Sequence, residues 1–298
     1  MTHKKALFIG LTYIDVTIPT ETIPQGDDKA IAETYEVGIG GNATIAAITN
    51  AKLGQSTALA TPLADDFLGQ VVEGRYKSYG IELYPRNVEK TSLSLVLPNN
   101  NKRAILRRRN TDYKEPFAQI NLDDVNILHV DGHQPDAALH YAKACRQKGI
   151  TTSLDGGGIK DGVLELLKYI DVAVLSERFC EQLEKTPRQT LEWLWEEYKT
   201  PVAAVTLGEE GILYALEGGE ALHIPAIKIP KKDIKDTTGA GDIFHGAYIA
   251  SYMADSNLDW AEHFRFARSA SSVSIQRLGT EASIPTMADI QAFEAEKH

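Results

Sequence analysis

The last quarter of the chain contains the stretch that decides its fold, Lys235-Asp-Thr-Thr-Gly-Ala-Gly-Asp-Ile-Phe-His-Gly-Ala247. Small residues precede a run typical of a helix, so we predict that a helix begins here. Because the first amides of a helix point outward at the positive end of its dipole, Gly239, Ala240 and Gly241 predict an anion hole suited to a transferring phosphoryl group. Asp242 stands just inside this helix, where it could accept a proton from a hydroxyl beside the bound phosphate.

A simpler interpretation of the same stretch is a glycine-rich helix start in which Asp242 complements the helix dipole. The stretch is longer than a bare Gly-x-Gly-Asp, since Asp236 and two threonines precede the glycines. This extra length favours the catalytic interpretation. The sequence contains no Walker A phosphate loop.

A second glycine-rich stretch, Gly38-Ile-Gly-Gly-Asn-Ala43, also precedes a helical pattern. Glycines let the backbone approach a ligand closely, and Asn42 supplies both a donor and an acceptor. Gly41 and Asn42 are therefore candidate ligand contacts, with a plain turn and helix cap as the alternative. The stretch is not a dinucleotide fingerprint, because the third glycine of Gly-x-Gly-x-x-Gly is absent.

From about residue 120 onward, short apolar runs alternate with stretches of helical period. Buried strands that alternate with helices predict an α/β fold with a mostly parallel sheet covered on both faces. The predicted strands are 127–130, 152–154, 172–175 and 202–205, and the predicted helices are 136–148, 163–169, 190–198, 240–253, 260–276 and 287–296.

Two segments interrupt this alternation, at about 13–37 and about 89–114. The first is rich in Thr, Pro and β-branched residues, and the second predicts a hairpin with its turn at 98–101. Because neither segment has a helical period, we predict a small separate sheet that covers the site as a lid. We expect one domain over 1–298, interrupted by this discontinuous lid.

Composition narrows the class of protein. The formal net charge of -10 argues against a general nucleic-acid binder, because such binding needs a surplus of Lys and Arg. Cys145 and Cys180 form no Cys-x-x-Cys pair, so we expect a reducing compartment and no thiolate metal site. No apolar run approaches the roughly 20 residues of a membrane span, and we expect a cytoplasmic protein.

Polar residues of two further segments are candidate substrate contacts. His129, Asp131 and His133 alternate along a predicted strand end and could share one face. Open α/β sheets bind ligands at the carboxyl ends of their strands, which favours pocket-lining residues over a metal site, with His133 as a substrate contact. On the predicted hairpin, Arg107 and Arg109 could reach an anionic group of the substrate, with a solvated face as the alternative.

The two glycine-rich stretches together resemble the two signatures of the ribokinase-like carbohydrate kinases, also called the phosphofructokinase B family. Residues 236–242 resemble the C-terminal signature and residues 38–43 the N-terminal one, about 200 positions apart as in that family. The stretches 10–15 and 206–211 agree as well. This resemblance implies a ribokinase-like fold and ATP-dependent phosphorylation of a hydroxyl of a small sugar.

The resemblance also implies roles for residues at matching positions. Asp242 resembles the catalytic base, and Gly239 to Gly241 resemble the anion hole. Asp15, Gly41 and Asn42 resemble the residues that hold sugar hydroxyls. The implied ATP contacts are Ser176, Thr206, Gly208, Gly211 and Thr238.

Cofactors and partners are implied in the same way. Members take Mg²⁺ with ATP, many take a monovalent cation such as K⁺ near the loop matching Asp236 and Thr238, and many form homodimers through the lid. The family often has Asn-x-x-Glu after a strand, linked to Mg²⁺ and phosphate handling, where this chain has Ser176-Glu-Arg-Phe179. Glu177 is then the candidate acid, acting on Mg²⁺ through water.

Ser176 at the first position of that segment resembles the ketohexokinase and sulfofructose kinase branch, which implies a keto-sugar acceptor, neutral or anionic. A nucleoside kinase of the adenosine type is an alternative. A second alternative is a non-catalytic sugar- or nucleotide-binding protein of the same fold, and Asp242 argues against it because a sensor needs no base.

Overall fold

The computed structural model of the chain describes residues 4–99 and 102–297. Its strands are β1 Lys5–Ile9, β2 Tyr13–Thr17, β3 Glu36–Gly40, β4 Thr57–Leu63, β5 Glu82–Asn87, β6 Leu93–Asn99, β7 Lys102–Arg108, β8 Val125–Val130, β9 Thr151–Gly156, β10 Val172–Ser176, β11 Val202–Thr206, β12 Ile212–Leu216 and β13 Leu222–Ile224. Its helices are α1 Asn42–Lys52, α2 Phe67–Ser78, α3 Pro135–Lys148, α4 Val163–Leu166, α5 Glu177–Gln182, α6 Pro187–Tyr198, α7 Ala240–Ala254, α8 Trp260–Ser274 and α9 Met287–Lys297.

The main sheet has the strand order β13-β12-β11-β10-β9-β8-β1-β4-β5. Neighbouring strands from β11 to β5 are parallel, and only the pairings of β12 with β11 and β13 are antiparallel within the described residues. The predicted mostly parallel sheet is therefore confirmed. Central strands such as β4 and β8 are buried almost throughout, because both faces of the sheet are covered.

Two apolar cores sandwich the main sheet. Ala6 and Phe8 of β1 face one core with α1, α2, α7, α8 and α9, while Leu7 and Ile9 face the other with α3, α4, α5 and α6. This division follows from the alternation of side chains along a strand. In the part of the chain that the structure describes, no helix combines the length and apolarity needed to cross a bilayer.

A smaller sheet is formed by the two segments that interrupt the α/β alternation. Its order is β3-β2-β6-β7, with β2 parallel to β6 and the other pairs antiparallel. The separate sheet and the hairpin β6–β7 are confirmed, whereas part of the turn predicted at 98–101 lies outside the described residues. The first segment extends further than predicted, because β3 runs to Gly40 and leads directly into α1.

Arg86 is a buried cation that supports the segment before α3. Its guanidinium donates to both carboxylate oxygens of Asp136, at 2.9 and 2.7 Å, and lies 3.7 Å from the ring centroid of Tyr113. Tyr113 Oη in turn donates to the carbonyl of His133 at 3.3 Å. The ion pair therefore helps to fix the backbone that carries a candidate substrate contact.

We expect Asp136→Asn to lower the free energy of unfolding by about 1–3 kcal/mol at pH 7, because a buried guanidinium loses its charged partner. The hydrogen bonds from Arg86 hold the pKa of Asp136 below its ordinary value. The stabilisation is therefore present above the unfolded pKa of about 3.9 and is lost as the pH falls through the lower folded pKa. Urea denaturation at pH 7 and at about pH 3 measures the difference.

The control for this prediction is Asp123→Asn, which removes an exposed ion pair with Lys148. It should leave the denaturation midpoint unchanged, because exposed pairs contribute little. A loss in Asp136→Asn that is no larger than that of the control would contradict the role of the Arg86 pair.

Candidate active site

Polar residues line one edge of the main sheet, where five parallel strands end. In sheet order these strands are β11, β10, β9, β8 and β1, so their carboxyl ends meet at the same edge. Open parallel sheets bind ligands at this edge. The residues at or just beyond the strand ends are Thr206, Ser176, Asp155, Asp131 and Gly10.

Helix α7 begins above this edge at the glycine-rich stretch. Gly239 caps the helix with φ 78°, and a side chain on it would overlap Thr280. A side chain on Gly241 would meet nothing within 4 Å, so the space beside the first turn is open at this residue. The predicted helix start is therefore present, and first-turn amides of a helix can hold an anion; the Ala240 amide also makes a long contact of 3.4 Å with the Thr237 carbonyl.

Asp242 is the third residue of α7 and is half-buried. Its Oδ1 accepts a hydrogen bond of 2.8 Å from Asn42 Nδ2. Burial raises the pKa of Asp242 well above its ordinary value, and the negative charges of Asp155 and Asp131 raise it further. A carboxylate with an elevated pKa is a stronger base than an ordinary one, which suits removal of a proton from a hydroxyl.

Asn42 is the first residue of α1 and joins the two glycine-rich stretches. Its Nδ2 donates to Asp155 Oδ2 at 3.0 Å as well as to Asp242. The preceding Gly41 has φ 113°, and a side chain there would overlap the carbonyl oxygen of Leu11. Glycine is thus required at position 41 by conformation and by the close approach of the β1–β2 connection.

Asp15 lies in β2 of the small sheet, opposite Gly38 and Ser94 in register. Its Oδ1 and the Ser94 hydroxyl are buried and have no hydrogen-bond partner among the described residues. Burial raises the pKa of Asp15, while the charge of Arg107 and the adjacent Ser94, whose contact with the carboxylate lacks the geometry of a hydrogen bond, lower it. Buried polar atoms are normally paired, so these two atoms mark a place where a polar ligand group would fit.

The lid arginines both contact Tyr13 at one end of β2. Arg109 Nε donates to Tyr13 Oη at 2.8 Å, and the Arg107 guanidinium lies 4.7 Å from the Tyr13 ring centroid. Both arginines are exposed. Burial lowers the pKa of the half-buried His133, whose surrounding charges include Asp131, Lys160 and Arg109.

The predicted ATP contacts divide into two groups. Thr206 and Ser176 pair in register at the ends of β11 and β10, and Gly208 and Gly211 follow with φ 53° and 102°. Ser176 Oγ also caps α5 by accepting from Phe179 N at 3.3 Å, a structural role that its sequence position did not indicate.

The second group is the turn before α7, where the Thr238 amide donates to Asp236 Oδ1 at 2.9 Å. Glu177 is exposed in the first turn of α5. No three His, Cys, Asp or Glu side chains within residues 4–99 and 102–297 lie close enough together to hold a metal ion.

The prediction that His129 and Asp131 line the pocket is wrong. His129 is 1% exposed and bonds through Nδ1 to Ser153 Oγ at 3.0 Å, between the main sheet and α7. Asp131 is fully buried, and its carboxylate accepts from the amides of Leu11, Ala43 and His133. Strand β8 ends at Val130, so strand alternation no longer governs the residues that follow it.

Comparison with known proteins matches nearly the whole chain to one family. Residues 3–287 match the family described as pfkB family carbohydrate kinase. The chain belongs to this family. It is accordingly a carbohydrate kinase with the ribokinase-like fold.

Similar members of the pfkB family are known by activity and by structure. A ribokinase from Lactococcus lactis is 25% identical, with 97% of this chain and 96% of the relative covered. An ATP-dependent ribose-1-phosphate kinase from Halopiger xanaduensis is also 25% identical, with 98% and 99% covered. Arabidopsis thaliana ribokinase, solved with ribose and ATP, has the same fold, with a TM-score of 0.84 at 22% identity over 97% of this chain and 98% of that one.

Two residues in this pfkB kinase site were missed by sequence reasoning. Asp155 ends β9 and bonds Asn42, and Lys160 follows in the next loop, where its Nζ donates to the Asp131 carbonyl at 2.6 Å. The available signal was the run Asp155-Gly-Gly-Gly after a predicted strand, since polar residues at strand ends of an α/β sheet face the ligand edge.

Proposed function

We propose that the chain transfers the γ-phosphoryl group of ATP to a hydroxyl of a small sugar, with Asp242 as the base. The observation that carries this proposal is the 2.8 Å hydrogen bond between Asn42 Nδ2 and Asp242 Oδ1. It brings the proposed sugar-holding residue and the proposed base together across 200 positions of the chain. A non-catalytic binding protein of this fold would have no need for a carboxylate with a raised pKa at that point.

The proposed reaction is an in-line displacement at phosphorus. The acceptor hydroxyl gives its proton to Asp242, and its oxygen forms a bond to the γ-phosphorus. The bond from that phosphorus to the β–γ bridging oxygen breaks, and ADP leaves with the electron pair. The amides of Gly239 to Gly241 stabilise the negative charge on the transferring group, so positioning and electrostatics supply most of the catalysis.

The acceptor is proposed to bind between the small sheet and the edge of the main sheet. A sugar hydroxyl would satisfy the unpartnered, buried Oδ1 of Asp15. Gly41, Asn42 and His133 complete the proposed acceptor contacts. The chain is proposed to be a single domain in which residues of about 13–37 and 89–114 form a lid. Closure of this lid over the site would exclude water as a competing acceptor.

Within this class we favour a keto-sugar that carries an anionic group. Ser176 resembles the keto-sugar branch, and Arg107 and Arg109 are exposed cations beside Tyr13 at the end of the proposed acceptor site. The Halopiger xanaduensis relative is by name a kinase of ribose 1-phosphate, so its acceptor carries a phosphate. That relative supports an anionic acceptor for this chain, and a nucleoside is the runner-up.

ATP is proposed to lie along the loops of Thr206 to Gly211 and of Thr238 to Gly241. Mg²⁺ usually binds through one or two carboxylates plus substrate phosphates, and the exposed Glu177 fits such a site through water. Mg²⁺ would neutralise phosphate charge during transfer. Asp236, at the turn before α7, is the proposed carboxylate for a K⁺ site.

We further propose a cytoplasmic homodimer that forms through the small sheet. Ile105 and Leu106 of β7 are 46% and 74% exposed, and apolar residues so exposed are typical of surfaces that associate. The net charge of -10 supports a protein without nucleic-acid partners.

The acceptor class is tested by ADP release from ATP and Mg²⁺ with a panel of acceptors. The panel contains an aldopentose, a neutral keto-hexose, a keto-hexose with a terminal sulfonate, a pentose phosphate and adenosine. We expect the highest kcat/KM for an anionic keto-sugar. No ADP release with any sugar, together with turnover of adenosine, would overturn the sugar assignment.

The lid arginines supply the matched control for that panel. Arg107→Gln is expected to lower kcat/KM for the anionic acceptor by about 10- to 100-fold, the loss expected for a charge-assisted hydrogen bond, and to spare neutral acceptors. Arg108→Gln removes the same charge from the opposite face of β7, so it should leave both values unchanged. Equal effects of the two variants would exclude the anion contact.

A further inference from the structure

The amide of Asn42 bridges two carboxylates. Asp242 Oδ1 accepts from Nδ2 at 2.8 Å and Asp155 Oδ2 accepts from the same nitrogen at 3.0 Å. An amide nitrogen carries two hydrogens, so each carboxylate can take one of them. The orientation of Asn42 is therefore fixed from one side by the base and from the other by Asp155.

Asp155 also contacts a chain of buried polar groups. It is 6% exposed, and its Oδ1 lies 3.5 Å from Nε2 of His245, which follows Asp242 by one turn of α7. His245 Nδ1 contacts Tyr248 Oη at 3.1 Å, and that hydroxyl lies 2.6 Å from Ser153 Oγ on β9. This polar chain runs from the proposed base into the core, so Asp155 cannot turn away without breaking it.

A neutral residue at position 155 would satisfy the bond to Asn42 equally well, since an amide oxygen also accepts a hydrogen bond. Burying the charge of Asp155 costs free energy, so we expect that charge to serve a purpose besides the bond to Asn42. The charged groups that act on Asp242 are Asp155 at the end of β9, Asp131 beyond β8 and Lys160 in the loop after β9. The two carboxylates favour protonation of Asp242 and the lysine opposes it.

The two bridged carboxylates differ in their proton affinity. Burial would raise the pKa of Asp155, but His245, Lys160, His129 and Asn42 outweigh it and bring that pKa below its ordinary value. The pKa of Asp242 is instead raised by burial and by the charge of Asp155. When the environments of two neighbouring carboxylates move their pKa values in opposite directions, one stays ionised while the other exchanges a proton.

We propose that Asp155 is a positioning residue that orients Asn42 and strengthens Asp242 as a base through its permanent negative charge. This inference rests on the proposed function, because it assumes that Asp242 removes the acceptor proton. Asp155 does not exchange a proton during the reaction. It keeps the amide of Asn42 in place while Asp242 Oδ1 alternates between its ionised and protonated forms.

The test is the pH dependence of kcat/KM for the acceptor at saturating ATP, in the wild type and in Asp155→Asn. Because kcat/KM rises as Asp242 loses its proton, removal of the Asp155 charge should move the acid limb to lower pH, by about one unit or more. The weaker base should also reduce kcat, by up to about tenfold for each unit by which its pKa falls. If Asp155 served only the structure, its replacement would change kcat or Tm without shifting the acid limb of the pH profile.

Asp161→Asn is the matched control, because it removes a carboxylate from the same loop at an exposed position. It should leave the limb and kcat unchanged. If Asp155→Asn does not fold, Asp155→Ser, which is smaller and keeps an acceptor for Asn42, gives the same comparison. If neither variant folds, the charge serves the fold, and the positioning role is overturned.

The two proposals can fail separately. An unmoved limb and unchanged kcat in Asp155→Asn, with Asp242→Asn inactive, would overturn the role of Asp155 and leave the kinase mechanism standing. Full activity of Asp242→Asn would overturn the assignment of the base itself.

Discussion

Asp242→Asn is expected to lower kcat by about 10²- to 10⁴-fold, the usual contribution of a positioned general base. Asparagine has nearly the same shape, and its side-chain oxygen can still accept the bond that Asn42 Nδ2 makes at 2.8 Å. ATP binding should persist, because the proposed anion hole consists of main-chain amides of α7 rather than of this carboxylate. Coupled ADP-release kinetics and calorimetric titration with a non-hydrolysable ATP analogue measure the two properties.

The same substitution should not destabilise the protein. Burial and the charges of Asp155 and Asp131 raise the pKa of Asp242, so its ionised form is unfavourable in the folded chain. Above the unfolded pKa of about 3.9, this carboxyl therefore lowers stability, and the loss grows until the pH passes the higher folded pKa. Asp242→Asn removes that cost, and we expect an equal or higher Tm at pH 7.

Asp255→Asn, at the other end of α7, is the control for this prediction. Asp255 bonds the amide of Asn257 and lies outside the proposed site. Its replacement should leave kcat unchanged. Wild-type turnover in Asp242→Asn would contradict the assignment of the base, whatever the Tm.

Gly241→Val is expected to abolish most nucleotide binding and to lower kcat/KM for ATP by about 100-fold or more, an effect of the size of removing an oxyanion-hole donor. A side chain at this position would meet nothing within 4 Å, so the chain can fold around it. Because Cα–Cβ bonds in a helix tilt toward its N-terminus, the valine would lean over the amides that are proposed to bind the phosphate. Titration with the ATP analogue and thermal denaturation separate binding from folding.

Gly74→Val is the matched control for Gly241→Val. Gly74 is an exposed helical glycine in α2, and a side chain on it likewise meets nothing within 4 Å. Both variants should keep Tm within a few degrees, and only Gly241→Val should lose ATP affinity. Gly239 is unsuitable for this comparison, because its φ of 78° and the overlap with Thr280 would destabilise any other residue.

The sequence predicted the second half of the main sheet well, because its strands are short apolar runs separated by clear helical periods. The confirmed strands β8 to β11 differ from the prediction by at most two residues at either end, whereas β12 and β13 were not predicted. In the first third, β4, α2 and β5 were not predicted. Strand β4 reads Thr57-Ala-Leu-Ala-Thr-Pro-Leu63 and is buried throughout, and such a run shows no alternation by which a strand is recognised.

The candidate site, like the fold, could be predicted only in part from the sequence. The residues within the two glycine-rich stretches could be found from local sequence, because the chemistry there depends on backbone shape and on neighbouring positions. The partnership of Asn42 with Asp155 and Asp242 joins residues 113 and 200 positions apart, and only the fold brings them together. Asp131 was misplaced because strand periodicity was extended past Val130, where the strand ends, whereas His129 lies within β8 and is covered by His245 of α7.

The late turn that packs against Gly239 also touches the small sheet. Thr280 occupies the space beside Gly239, and the neighbouring Glu281 carboxylate accepts from the amide of Ile39 on β3 at 3.0 Å. Glu281 Oε1 also accepts hydrogen bonds from Arg75 Nε in α2 and from Tyr79 Oη just after it, both at 2.7 Å. A movement of β3 would therefore displace residues 280–281, which pack against Gly239 at the start of α7. This turn thus couples the position of the small sheet to the proposed anion hole.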